Sequence, residues 1–404
     1  MKLLKKSIKI ITINAGLFVF FSIPIGGFLN YKSTGKFFIK RDFATDSKCV
    51  DFPIDPVFGY KTNTCEYEPR SIGFKTEFKP ESKKKDFLDI LILGGSVAEH
   101  LTTLSNIEED INLLLEKNKK LSSQYSSIRV FNSATNGKKQ PQGLFAFQAL
   151  EMLGYDFDAI IELSGFNEIA LSVDENYKNN INPIYPRLSP QQFLGNARRL
   201  TNNFANNFIE RLLWMHPLHQ YLSSQTSIYY YFRIHYIDKS QRGSASRRLG
   251  MNFLLPNSQK DAFRKSLYVW SRASSFVYNQ TKNKGAVYLL AFQPNQYLKN
   301  SKVLTLKEQS FISKDGYPNR LARLLNIKAA SFYAGEIINK YYGLISKKDF
   351  DIPEENILDL RGIFKGNNDS LYADSCCHLN KKGMDIISNV LSNKIISLLE
   401  KKGN

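Results

Sequence analysis

Five short apolar runs, each closed by small or polar residues and separated by stretches of helical periodicity, constrain the fold more than any other feature of this chain. Leu88–Leu93 (LDILIL) ends in Gly94-Gly95, and Ile128–Phe131 ends in Asn132-Ser133. Ala159–Leu163 ends in Ser164-Gly165, and Ala286–Phe292 and Ile357–Leu360 complete the set. Continuous apolar runs of this length read as strands buried on both faces, in contrast to the alternating pattern of a half-exposed sheet. Between them lie helical segments at Ile107–Lys117, Pro141–Leu153 and Phe263–Lys282, and an amphipathic helix at Lys381–Leu399 closes the chain. Strands alternating with helices predict an α/β fold, a mostly parallel sheet with helices on both faces.

The interval between the third and fourth strands is too long for a simple crossover. Residues 170–260 hold Pro, Asn, Tyr and Arg clusters and two helix-like pieces, about Gln191–Leu213 and Ile228–Tyr236. They read as an insertion near the rim of the sheet, a candidate surface for substrate or partner. No internal repeat at solenoid periods is present.

The N-terminus has a different character. Lys2, Lys5, Lys6 and Lys9 precede Ile10–Leu29, twenty residues without a charge, the length of one bilayer-spanning helix. A cleaved signal peptide shares the basic start and apolar run, but no small-x-small cleavage site follows, so an uncleaved anchor is expected. The leading lysines favour an N-in orientation with the body outside the cytoplasm, although Lys32, Lys36, Lys40 and Arg41 flank the other end. The expected division is an anchor over 1–31, a Pro- and Lys-bearing linker over 32–85, and one α/β domain over 86–404.

Charge points less clearly to a partner. The 55 basic and 37 acidic residues leave a net +18, but residues 1–41 contribute eight basic residues and no acid. The remaining modest excess is that of a solvated surface, and no zinc-finger spacing, aromatic RNA-binding strand or P-loop accompanies it, so nucleic acid is not an expected partner. At 43% apolar and 23% charged, the composition excludes collagen, coiled coil and wholesale disorder. Of four cysteines, Cys49 and Cys65 bracket a Pro/Gly/Asp loop that a disulfide could staple, while reduced thiols are the alternative.

Ligands of open parallel sheets bind beyond the carboxyl ends of the strands, so the residues that follow each run are the candidates for chemistry. After the first come Gly94-Gly95-Ser96, a sharp turn that delivers a serine to the start of a helix, where free amides favour a developing oxyanion. An ordinary turn with an N-cap has the same pattern. The second run is followed by Asn132-Ser133-Ala134-Thr135-Asn136-Gly137, and the third by Ser164-Gly165-Phe166-Asn167-Glu168. Asp374-Ser375-Cys376-Cys377-His378 lies beyond the fifth, before the final helix. Together these supply a nucleophile, an amide, a carboxamide, a base and a carboxylate, the set that ester cleavage by serine requires.

The ordered set GGS, Asn-x-x-x-x-Gly, Gly-x-Asn and Asp…His resembles the SGNH (GDSL-like) hydrolase superfamily, over about residues 86–400. Phe292-Gln293-Pro294-Asn295-Gln296-Tyr297 and Tyr372–His378 resemble a membrane-anchored bacterial branch of it. The resemblance implies a flavodoxin-like α/β/α sandwich and hydrolysis of carboxylic esters with no metal or other cofactor. It assigns Ser96 as nucleophile, His378 as base and Asp374 as its orienting carboxylate. The oxyanion hole would comprise the Ser96 and Gly137 amides and the Asn167 side chain. One departure stands out: the family spacing is Asp-x-x-His, whereas three residues separate Asp374 from His378, which could turn the carboxylate away and leave a dyad.

Other residues compete for roles. His100, one helical turn beyond Ser96, is expected to point away from the crevice. His216 and His219 (HPLH) suggest a metal pair, but proline disrupts their presentation, and no metal is expected. Glu168 reads as a supporting carboxylate, and Cys377 is a rival nucleophile placed on the base's own loop. Tyr229–Tyr231 with Arg233, Lys239, Arg242, Arg247 and Arg248 could meet a sugar or anionic polymer, or simply be solvated. Three functions follow: an extracytoplasmic esterase acting on acyl groups, acetyl foremost, of a glycan or lipid-linked saccharide; an O-acyltransferase with the same triad; or a non-catalytic anchored glycan-binding protein. The number of subunits is not fixed by these patterns.

Overall fold

A computed structural model describes residues 21–32, 37, 86–186, 252–312 and 330–402. The chain divides into two compact units. The smaller one takes in Met1–Ser47, Leu194–Arg242 and Tyr317–Lys328, and its described part is chiefly a helical segment at residues 21–32. The larger one is the α/β body. Most of the expected linker, both helix-like pieces of the insertion, and residues 10–20 of the expected span lie outside the described residues. Among the described residues, no helix is long and apolar enough to cross a membrane.

The body is built on β1 (Phe87–Gly94), β2 (Ser127–Asn132), β3 (Ala159–Ser164), β4 (Val287–Phe292) and β5 (Ile357–Asp359). All four pairings are parallel, in the order β2-β1-β3-β4-β5, the doubly wound order of flavodoxin-like sheets. Ile90 of β1 sits opposite Val130 of β2 and Ala159 of β3, and that register brings the strand ends to one edge. Leu88 and Ile90–Ile92 have no exposed surface, as continuous apolar runs covered on both faces require.

Among the described residues, the strands are accompanied by a one-turn helix at Lys119–Ser122 and by the longer helices α1 (Ser96–Thr103), α2 (Ile107–Lys117), α3 (Gln142–Met152), α4 (Gln259–Asn283), α5 (Leu306–Phe311), α6 (Ala330–Tyr341) and α7 (Lys381–Lys402). The closing helix α7 packs on α2, α1, β3 and β4, while α4 packs on β4, α3 and a π-helix over Asn167–Asn176. Trp270 of α4 meets Phe292 and Phe350 edge-on.

The core on the α4 side is not wholly apolar. Glu162, central in β3, has no exposed surface. It accepts hydrogen bonds from Gln140 Nε2 (2.7 Å), Ser164 Oγ (2.8 Å), Trp270 Nε1 (3.2 Å), Ser274 Oγ (2.9 Å) and Tyr288 OH (2.8 Å). Five donors replace the hydration that a carboxylate loses on burial. Burial still dominates and pushes its pKa above the ordinary carboxylate range.

Candidate active site

Strand order decides where a site can form. From β1 the chain moves outward to β2 and then returns to β3 on the other side, so the crevice between the ends of β1 and β3 is the switch point of the sheet. Ser96 follows β1, and Asn167 follows β3.

The glycines after β1 allow the approach. Gly94 has φ +143°, a conformation that side chains disfavour, and a Cβ on Gly95 would lie 2.1 Å from Asn167 Nδ2. The Asn167 carboxamide therefore lies across Gly95, immediately before the candidate nucleophile. It donates one hydrogen bond to the Lys138 carbonyl at 2.8 Å, leaving its second N–H for a ligand. Gly137 sits in the turn just before Lys138 with φ +73°. Three strand ends are thus gathered: Gly95-Ser96 from β1, Gly137-Lys138 from β2 and Asn167 from β3. The Ser96 amide belongs to the first turn of α1, where helices leave donors unpaired, and neither it nor the Gly137 amide has a partner among the described residues.

The Asp374–His378 segment reaches Ser96 from across the sheet. A bridge pairs Tyr372 with Leu379 antiparallel, and Ala373 N–H donates to the His378 carbonyl at 2.9 Å. The residues between form a tight loop over the carboxylate of Asp374. Its Oδ1 accepts from the amides of Cys376 (2.8 Å), Cys377 (3.2 Å) and His378 (3.3 Å), and its Oδ2 pairs with His378 Nδ1. The additional residue in the spacing therefore does not turn the carboxylate away, because the hairpin closure folds residue 374 back under residue 378. His378 Nε2 lies 2.7 Å from Ser96 Oγ. With Nδ1–H donated to an ionised Asp374, Nε2 is the acceptor and the Ser96 hydroxyl the donor.

Electrostatics match this arrangement. Burial disfavours a charged imidazole, but hydrogen bonding and charge from Asp374 outweigh it and hold the His378 pKa above its ordinary value. Burial likewise opposes ionisation of Asp374, yet the His378 bond and the loop amides hold its pKa below the usual carboxylate range. For Cys377 the Cys376 thiol and burial push the pKa well above the ordinary thiol range, so it is a poor nucleophile. Glu168 is buried and accepts from the amides of Gly165 (2.6 Å) and Gln140 (3.1 Å), which places it as a brace between the ends of two strands. Burial raises its pKa to about 7.

His100 differs from expectation. Its ring centroid lies 5.3 Å from that of His378, beside that imidazole and not turned away from it. The reason is that α1 runs past the loop carrying His378, so the residue one turn beyond Ser96 still faces that loop.

A second set of residues was not assigned from sequence. Gln296 Nε2 donates to the Asp374 carbonyl at 2.8 Å, and Tyr297 OH donates to that of Ser375. Asn295 Nδ2 donates to Cys376 O at 3.4 Å. The segment after β4 therefore grips the back of the loop that presents Asp374 and His378. Its position at a strand end was the available signal. His216, His219, the Tyr229–Tyr231 cluster, Cys49 and Cys65 lie outside the described residues.

No family model matches the chain, and no curated protein matches it. Among solved structures, a similar one is the crystal structure of an acetyl xylan esterase, at 11% identity and a TM-score of 0.29, covering 77% of this chain and 98% of that one. At that score the likeness carries no argument about fold or activity.

Proposed function

We propose that this chain is a serine ester hydrolase of the SGNH type that works through an acyl-enzyme on Ser96. The observation that carries the reading is the continuous relay from Ser96 Oγ to His378 Nε2, at 2.7 Å, and from His378 Nδ1 to Asp374. In this mechanism His378 takes the hydroxyl proton as Ser96 attacks the ester carbonyl, and Asp374 steadies the imidazolium that results. The Ser96 and Gly137 amides and the free N–H of Asn167 receive the negative charge on the carbonyl oxygen. His378 returns the proton to the leaving alcohol, and water then attacks the acyl-enzyme by the same route.

The resemblance supports carboxylic esters as substrates, and the proposed ones are acyl esters, acetyl foremost, of a glycan or lipid-linked saccharide. The uncharged N-terminal run supports a site outside the cytoplasm on a membrane-held protein.

A fluorophosphonate probe tests the chemistry, because it needs an activated serine. Mass spectrometry is expected to find the label on Ser96, and Ser96→Ala or His378→Ala is expected to lower hydrolysis of a short-chain aryl ester by about 10⁴-fold or more while the fold survives. Activity within about tenfold of wild type in either variant overturns the assignment.

A further inference from the structure

The loop that carries the base also holds two cysteines for which the proposed reaction has no use. Cys376 and Cys377 are adjacent, neither is in a disulfide, and their Sγ atoms lie 3.2 Å apart. Cys377 is buried and Cys376 half-buried. Their backbone is part of the catalytic frame. Both amides donate to Asp374 Oδ1, at 2.8 and 3.2 Å, and the Cys376 carbonyl accepts from Asn295 and Gln296, each at 3.4 Å. The peptide between the cysteines therefore helps to hold the carboxylate beneath the imidazole.

We propose that Cys376 and Cys377 form a reversible covalent modification site, closed to a vicinal disulfide by a low-molecular-weight disulfide such as glutathione disulfide, and that closure disables the Asp374–His378 pair. The second half of this proposal rests on the serine hydrolase reading. Cys376, the more accessible thiol, reacts first. Its sulfur bonds to one sulfur of the oxidant, the oxidant's S–S bond breaks, and one glutathione thiol leaves with the proton that Cys376 released. Cys377 then attacks Cys376 Sγ, the mixed disulfide breaks, and the second glutathione thiol leaves with the Cys377 proton. Two cysteine thiols have lost two electrons and two protons, and the small disulfide has gained them.

The second step is slow in the resting loop, because burial keeps the Cys377 thiolate scarce. Closure consequently follows sustained oxidation. A disulfide between neighbours closes a ring that includes the peptide bond joining them, so the two amides cannot both keep their direction toward Asp374. The carboxylate loses part of its cage, and the imidazole loses its fixed orientation.

The test uses the full chain, treated with glutathione disulfide, alkylated without reduction and cleaved with trypsin. The fragment Gly366–Lys381 contains Cys376 and Cys377 and no other cysteine. It is expected to escape alkylation and to weigh two hydrogens less than the dithiol, with dithiothreitol restoring a doubly alkylated fragment. In the same samples, fluorophosphonate labelling of Ser96 is expected to slow by at least about tenfold and to recover on reduction, since a misoriented base is costly. Cys376→Ser and Cys377→Ser, each measured against its own untreated rate, are expected to lose the disulfide-dependent slowing that dithiothreitol reverses.

A fragment that stays doubly alkylated, or that carries glutathione on both thiols, overturns the covalent site. Closure with unchanged labelling overturns the control of catalysis. Reduced wild-type protein that never takes the label removes the hydrolase reading and the control with it, and the covalent site then stands or falls on the mass of the fragment alone.

Discussion

At the imidazole of His378, two influences oppose each other: burial favours the neutral ring, and Asp374 favours the charged one and prevails. A base must be neutral to accept the Ser96 proton, so kcat/KM is expected to rise with pH through an apparent pKa above 6.5. Asp374→Asn removes the charge that raises this value. The ascending limb should then move to lower pH while kcat falls, by up to about 10⁴-fold where the wrong tautomer results. A pH–rate profile measured on both proteins checks this, and an unmoved limb in the variant would show that Asp374 does not govern His378. Stability carries the same linkage with opposite signs. The raised His378 value contributes stability that is complete below the unfolded pKa and fades as pH rises through the folded one. The depressed Asp374 value contributes stability that is present above 3.8 and lost as pH falls.

Among the elements, the short helix α5 holds more than its length suggests. Thr305 and Glu308 form a reciprocal capping box at its start. The same Glu308 accepts from the amides of Leu371 (2.8 Å) and Tyr372 (3.0 Å) and pairs with Lys302 at 2.8 Å, with both side chains fully buried. One carboxylate thus ties the helix to the segment that leads into the Asp374–His378 loop. Burial alone would raise its pKa, but Lys302 and the surrounding donors lower it to about 2. Its stabilisation is therefore present above about 4.5 and lost as pH falls through about 2. Glu308→Ala leaves Lys302 buried without its counter-charge and is expected to cost about 3–5 kcal/mol in urea unfolding at neutral pH. A loss below about 1 kcal/mol would mean that the pair is solvated in solution, since exposed pairs contribute no more than that.

For the whole molecule, the proposal of a membrane-held enzyme makes its own demand on the N-terminus. Full-length protein is expected to remain in the membrane fraction through a wash of about 1 M salt, where charge attraction is screened within about 3 Å. Release by that wash would leave a basic surface and no anchor. What the residues determined unaided was the α/β class and the neighbourhood of the site. Continuous apolar runs can be satisfied only by strands covered on both faces, and the residues closing those runs must emerge at one edge of a parallel sheet. Ser96 and Asn167 were legible for that reason, and His378 through its pairing with Asp374 ahead of the last helix. The contact of His100 with His378, the grip of Gln296 and Tyr297 on the Asp374–His378 loop, and the burial of Glu162 and Glu308 were decided by tertiary structure. Each depends on two segments far apart in sequence meeting at a particular distance, and periodicity along one chain carries no record of that distance. Asp374 shows the same limit from the other side: its spacing left open whether the carboxylate faces the imidazole, and the hairpin closed by Tyr372 and Leu379 brings it there.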